Sequence, residues 1–209
     1  MSISSLSKFT VPLASGQSST TQGMLMPKLQ YRFRILFENF GVSGSTTELT
    51  KQVGKAARPN VDFGIQTIDV YNSKINIAGK PSWKAISVTL RDDVTGAVAK
   101  LVGEQLQKQF DFMEQASAAS GGNYKFTMAI EMLDGSNGAN MSQGAGGTGV
   151  LERWECYGCY IQTANYNGLD YAQVGPQTID LTIQPDNCIQ TIVNAGNQRG
   201  TAATLSGTK

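Results

Sequence analysis

The chain of 209 residues contains no histidine. This removes the side chain that most often acts as general base or metal ligand near neutral pH, so most hydrolase and zinc-enzyme readings start without their usual residue. There is no surplus of charge either: 17 lysines and arginines stand against 16 aspartates and glutamates, a formal net charge of +1. A general nucleic-acid binder needs an excess of cations facing phosphates, and that class is disfavoured. No apolar run reaches bilayer-spanning length, and the opening MSISSLSKFTVPLASG holds no uninterrupted apolar stretch of signal-peptide length. A soluble chain made in a cytoplasm, with no membrane partner, is therefore expected. Cysteine is scarce, at three residues. Cys156 and Cys159 form a C-x-x-C, but in an ideal strand they point to opposite faces, and neither a second pair nor a histidine completes a zinc tetrahedron. Buried thiols are expected there, while Cys188 makes the count odd and leaves a disulfide between subunits open. The glycine-rich 134–149 stretch, DGSNGANMSQGAGGTG, lacks a Gly-Lys-Ser/Thr ending and a following helix, so it reads as a flexible surface loop and not as a phosphate cradle.

What the sequence does have is alternation. Leu29 to Phe37 places Leu29, Tyr31, Phe33, Ile35 and Phe37 on one face of a strand. A second strand is expected over Thr47 to Ala57, interrupted by Arg58-Pro59-Asn60 because proline cannot donate to a ladder. Phe63 to Val70 and Lys74 to Ala78 read as two arms of a hairpin tipped by Tyr71-Asn72-Ser73, followed by a turn at Gly79-Lys80-Pro81. Ile86, Val88 and Leu90 then alternate with Ser87, Thr89 and Arg91. Asp92 and Asp93 are placed to cap a helix starting near Val94, since a carboxylate suits the unpaired N–H groups of a helix start.

One long helix is predicted over about 95–118, its stripe being Val98, Leu101, Val102, Leu106, Phe110 and Met113, with Ser120-Gly121-Gly122-Asn123 ending it. Strands return over Tyr124 to Leu133, Leu151 to Gln162 and Pro176 to Gln184, while Asn187 to Lys209 shows no periodicity. Trp83 and Trp154 read as core aromatics. The expected fold is mainly β: a β-sandwich or open barrel of antiparallel strands with one flanking α-helix. One domain over 28–190 is flanked by an extended arm, 1–27, and a tail, 191–209. The arm is rich in Ser, Thr, Gly and Gln and buries too little by itself to offset the entropy of ordering it.

Asn72, the Lys74-Ile75-Asn76-Ile77-Ala78-Gly79 run, Trp83 and the strand ending Val88-Thr89-Leu90-Arg91-Asp92-Asp93 resemble the tail-tube proteins of contractile-tailed bacteriophages. The resemblance continues through Trp154, Gly158, Tyr166-Asn167-Gly168-Leu169-Asp170-Tyr171 and Ile179-Asp180-Leu181-Thr182-Ile183, and spans roughly residues 28 to 190. It implies a structural protein with no catalytic residue, no metal and no cofactor. Copies would form hexameric rings, pairing sheet edges head-to-tail, and the rings would stack into a tube around a channel. It further implies that the hairpin tip, Asp69, Val70, Tyr71, Asn72, Ser73 and Lys74, reaches a stacked neighbour. The implied partners are the tail sheath, the baseplate hub, the tail terminator, the tape-measure protein and DNA in transient, non-specific passage. The implied location is the virion tail, assembled in the host bacterial cytoplasm.

A channel that passes DNA must not attract phosphate, so its wall is expected to be polar and neutral to acidic. Ser87, Thr89 and Arg91 on one strand and Glu152 on another are the lining candidates, with Arg91 the awkward member. Two alternatives stay open: the inner tube of a type VI secretion system or R-type pyocin, which shares the fold, and a carbohydrate-binding β-sandwich using Trp83 or Trp154 as a stacking platform.

Overall fold

The computed structural model describes residues 28–42, 46–134, 149–172, 174–193 and 202–204. The expected arm, the interior of the glycine-rich loop and most of the C-terminal tail lie outside the described residues. The chain divides into two units, Met1–Arg32 and Phe33–Lys209. In the first, Arg32 donates its backbone N–H to the Leu29 carbonyl at 3.2 Å, closing a turn where the sequence pattern expected a strand.

The second unit runs β1 (Phe33–Glu38), α1 (Thr47–Gln52), β2 (Val53–Ala56), β3 (Val61–Val70), β4 (Ser73–Trp83), β5 (Ile86–Arg91), α2 (Ala97–Gln109), β6 (Phe110–Asp111), β7 (Ala116–Ser117), α3 (Gly121–Tyr124), β8 (Phe126–Leu133), β9 (Val150–Asn165), β10 (Thr178–Gln184), β11 (Asn187–Val193) and β12 (Ala202–Thr204). The 16-residue strand β9 organises the main sheet. Its first part pairs with β8 on one edge and β11 on the other, and its last part pairs with β10. The resulting order is β1-β8-β9-β10-β5-β2, antiparallel at each pairing. Alternation buries one face: Ile35, Phe37, Phe126, Met128 and Ile130 from one half meet Ile86, Val88, Leu90, Ile179, Leu181 and Ile183 from the other in a single cluster. Val98, Leu101 and Val102 bring α2 onto it. The mainly β architecture with a flanking helix is thus as the alternation predicts.

Four element assignments are corrected. Residues Thr47–Gln52 are helical, and only Leu49 of that turn enters the core, so the segment has no strand periodicity to honour. The predicted 95–118 helix is α2 alone. Asp93 does cap it, accepting from the Ala97 N–H at 3.0 Å, but Gly96 at φ +67° delays the start. At the far end the Asp111 carboxylate accepts from the N–H groups of Met113 and Glu114, a local turn that competes with helix, and Met113 is exposed. The Gly79-Lys80-Pro81 turn is instead part of β4. Finally, the stretch from Asn187 read as without periodicity opens with β11, whose Ile189 and Ile192 fall on opposite faces and leave no period to read.

Two glutamines on α2 do the work of backbone. Gln105, fully buried, accepts from Gly41 N–H at 3.0 Å and donates to the Tyr124 carbonyl at 2.6 Å. Gln109 donates to the Ile161 carbonyl at 3.0 Å and accepts from the Ile161 N–H at 2.8 Å. Its amide thus fills the edge of β9 just beyond Cys159, the last β9 residue that β8 pairs. Buried backbone groups need such partners, and this is what fixes the helix on the sheet.

Candidate assembly surfaces

Among the described residues strands β3 and β4 pair only with each other, forming a two-stranded ribbon outside the main sheet. At its root, the ladder continues through Ala57 N–H to the Ser87 carbonyl at 2.9 Å and Lys84 N–H to the Asn60 carbonyl at 2.8 Å. The ribbon therefore extends the β2–β5 pair out of the body. Its sequence-predicted tip turns at Tyr71, φ +40° and fully exposed, with Asn72; Asp69 and Lys74 are cross-strand partners 3.6 Å apart, and Val70 pairs with Ser73. Phe63, Ile65, Ile68, Val70, Ile75 and Ile77 are all exposed. An isolated two-stranded hairpin is marginal in water, and apolar side chains on such a ribbon signal a partner surface.

The outward face of β10, β5 and the end of β9 is polar. Asp180 lies between Thr89 and Asn165, and Thr182 between Ser87 and Thr163, while Arg91 is opposite Thr178 and Lys55 opposite Thr89. Thr89 donates to Asp180 at 2.6 Å and Asn167 does so at 2.9 Å. The Thr89 hydroxyl, then Asn167, hold the Asp180 carboxyl below its ordinary value. Ser87 and Arg91 are exposed and Thr89 half-buried, so three predicted lining residues share one face. Glu152 does not join them. It is 2% exposed, and its carboxylate accepts from Trp154 Nε1 at 2.7 Å and Gln190 Nε2 at 2.8 Å, so burial removes it from any solvent-facing wall.

The other half of the sheet carries a row of charge. Glu131, fully buried, accepts from Arg34 on β1 and Arg153 on β9, and Arg153 also reaches Glu155 at 2.7 Å. The Tyr157 hydroxyl, then Arg153, hold the Glu155 carboxyl below the usual range. A lowered carboxylate contributes stability that is full above its unfolded value, about 4.3 for Glu and 3.9 for Asp, and is lost as pH falls through the folded value. Glu155 and Asp180 both follow this sign, and no histidine titrates between. Stability is thus expected to be flat from about pH 8 to about pH 5 and to fall below about pH 4. Urea midpoints across that range test it; a step near pH 6 would contradict it.

Both C-x-x-C thiols are buried, as expected, but they do not point to opposite faces. Gly158, φ +65°, sits in a β-bulge where Phe126 pairs with Cys159 and Met128 with Cys156, so the extra residue turns both thiols inward. Cys188 is the cross-strand partner of Cys156 and is also buried. The hydrogen bond with Cys188, then burial, raise the Cys156 thiol, and burial pushes Cys159 up to about 12. Protonated, enclosed thiols are poor nucleophiles and poor ligands. The tryptophans form no sugar platform: Trp83 and Trp154 pack edge to face on each other at 6.5 Å, and their indole N–H groups bond Asn187 and Glu152.

No family model and no curated protein matches the sequence. Solved structures do match the fold. A chain in the structure of the anti-feeding prophage tube-terminating cap aligns at TM-score 0.58 and 12% identity over 86% of this chain and 99% of that one. A chain in the six-fold symmetrised anti-feeding prophage baseplate aligns at 0.56 and 9% over 82% and 99%. A chain in the extended PVC sheath-tube complex, an extracellular contractile injection system, aligns at 0.52 and 13% over 80% and 93%. The fold of this chain is that of the tube and tube-cap proteins of contractile injection systems.

Proposed function

We propose that this chain is the inner-tube subunit of a contractile tail, whose copies close into hexameric rings that stack around a channel. The observation that carries the reading is the β3–β4 ribbon, whose apolar side chains no described residue covers, on a fold shared with tube proteins. Among the described residues β1 and β2 each pair on one side only, an arrangement that suits head-to-tail pairing between copies. In a phage the tube carries the tape-measure protein and then DNA, inside a sheath, between baseplate hub and terminator, and belongs to the virion assembled in the host cytoplasm. The role is structural, not enzymatic. Ser87, Thr89 and Arg91 line the channel in this reading, with Asp180 offsetting one cation. A second reading, the tube of a protein-delivering injection machine, is favoured by the sheath-tube and cap structures that match.

Electron microscopy of the purified protein at high concentration, alone and with a baseplate nucleus, tests the proposal. Hollow tubes or stacked rings with six-fold end views are expected, with Ser87 and Thr89 on the inner wall. A species that stays monomeric by sedimentation and extends no nucleus overturns the tube; tubes with those residues on the outer wall overturn the lining alone.

A further inference from the structure

The three cysteines lie in one core cluster, and two of them stand in register. Along the β9–β11 ladder Tyr157 faces Asn187, Cys156 faces Cys188 and Glu155 faces Ile189, with no shift between them. Residues directly opposite in an antiparallel pair share a face, with Cα atoms about 4.5 or 5.5 Å apart, and both spacings fall inside the range of about 4.4–6.8 Å that a disulfide spans. The two thiols are hydrogen-bonded to each other. Cys159 is placed otherwise. Its register partner is Phe126 on β8, and its thiol donates to the Cys156 carbonyl at 3.3 Å, so its hydrogen is aimed at backbone and not at a second sulfur.

We propose that Cys156 and Cys188 form a redox pair: a hydroperoxide oxidises Cys188, and Cys156 closes on it to give one disulfide within the chain, stapling β11 to β9 and leaving Cys159 a thiol. Access sets the order. Cys156 is 0% exposed and Cys188 6%, so Cys188 is the sulfur that a small oxidant meets first. The Cys156 S–H donates to Cys188 and holds its thiol below the ordinary value, which favours the nucleophilic form there. The Cys188 sulfur attacks one peroxide oxygen, the O–O bond breaks, the first water leaves, and Cys188 becomes a sulfenic acid. The Cys156 sulfur then displaces the sulfenic hydroxyl, which leaves as the second water with the Cys156 proton. Two thiols lose two electrons, and one peroxide gains them. A sulfenic acid beside a resolving thiol condenses before it is oxidised further, so the register that aligns the two sulfurs also protects the first. In a reducing compartment the pair stays as two thiols, and the staple forms only on exposure to oxidant. It acts where the sheet branches: β9 gives its first part to β11 and its last part to β10, and β11 carries β12 on its other edge. A covalent tie at Cys188 therefore holds both end strands to the body. Cys188, so enclosed and so partnered, is not available to bridge subunits, and the bond does not depend on assembly.

The test treats the full folded chain with hydrogen peroxide, alkylates the remaining thiols in denaturant, and maps linked peptides by mass spectrometry without reduction. Chymotrypsin serves for the digest, because a cut at Tyr157 separates Cys156 from Cys159. Peptides holding Cys156 and Cys188 are expected to be linked, with Cys159 alkylated and the chain monomeric on a non-reducing gel. The oxidised chain is expected to unfold at a higher urea concentration than the reduced one, since closing 156 to 188 restricts the unfolded state, and dithiothreitol should reverse the shift. Cys188→Ala should abolish the link and Cys159→Ala should keep it, while in Cys156→Ala a diketone that traps sulfenic acids should label position 188. The wild-type map decides the proposal whether or not every variant folds. Three alkylated thiols after peroxide, a link between Cys156 and Cys159, or a link between two copies each overturns the pair.

Discussion

Replacing Glu131 by leucine is expected to cost about 3–5 kcal/mol of stability, measured by urea unfolding at concentrations where the chain is monomeric. The carboxylate is fully buried and takes hydrogen bonds from two guanidiniums, Arg34 on β1 and Arg153 on β9, across three adjacent strands. Taking it away leaves the Arg153 guanidinium, itself 9% exposed, with Glu155 as its remaining carboxylate partner among the described residues and with a hydrocarbon where a charge was. The cost comes from the half-compensated cation more than from the lost attraction, because a buried guanidinium that loses one of its two counter-charges recovers less of its desolvation penalty. This predicts an asymmetry. Glu131→Leu combined with Arg153→Met should recover much of the loss, since an apolar pair of similar volume is often as stable as the ion pair it replaces. If the single change costs under about 1 kcal/mol, or if the double change costs as much as the sum of the singles, the row of charge is not acting as a coupled unit.

Much of the body was legible because it obeys period two. β5 and β10 bury every second residue, and Ile86, Val88, Leu90, Ile179, Leu181 and Ile183 lie where alternation puts them. The hairpin was legible too, from two alternating arms around a polar tip. What escaped is where a polar residue substitutes for backbone or a bulge breaks the count. Nothing in the helix pattern marks Gln105 as buried or Gln109 as a partner for the backbone of β9, because an amide at a helical position ordinarily reads as solvated. Glu152 was misplaced for the same reason: carboxylates are assigned outward by default, and this one is held inside by an indole and an amide. The ribbon, with apolar residues on both faces, did leave a trace. They fall at 61, 63 and 65, then at 68 and 70, a slip of phase that an alternation template averages away.

The same kind of slip governs β9, and there its removal is expected to be severe: Gly158→Ala should destabilise the chain by about 3 kcal/mol or more. Two separate terms contribute. At φ +65° an L-residue pays about 1–2 kcal/mol for the left-handed backbone. A Cβ at this position would also stand 2.8 Å from Asp186 Cγ and 3.0 Å from its Cβ, and Asp186 cannot easily retreat, because its N–H bonds the Tyr157 carbonyl at 3.0 Å and its carboxylate pairs with Lys125. The exposed ion pair is itself worth little, so Asp186→Gly alone should be mild, and it removes the obstructing carboxylate. In that background Gly158→Ala should cost only the backbone term, and the difference between the two backgrounds isolates the steric one. The thiols give an independent readout. If the bulge straightens, Cys156 and Cys159 can no longer both face the core, and one of them should become reactive to an aromatic disulfide reagent in the folded protein, whereas all three described thiols of the wild type should stay silent. Equal cost in both backgrounds together with silent thiols would mean that the bulge survives an alanine and that Gly158 is dispensable to the register of β9.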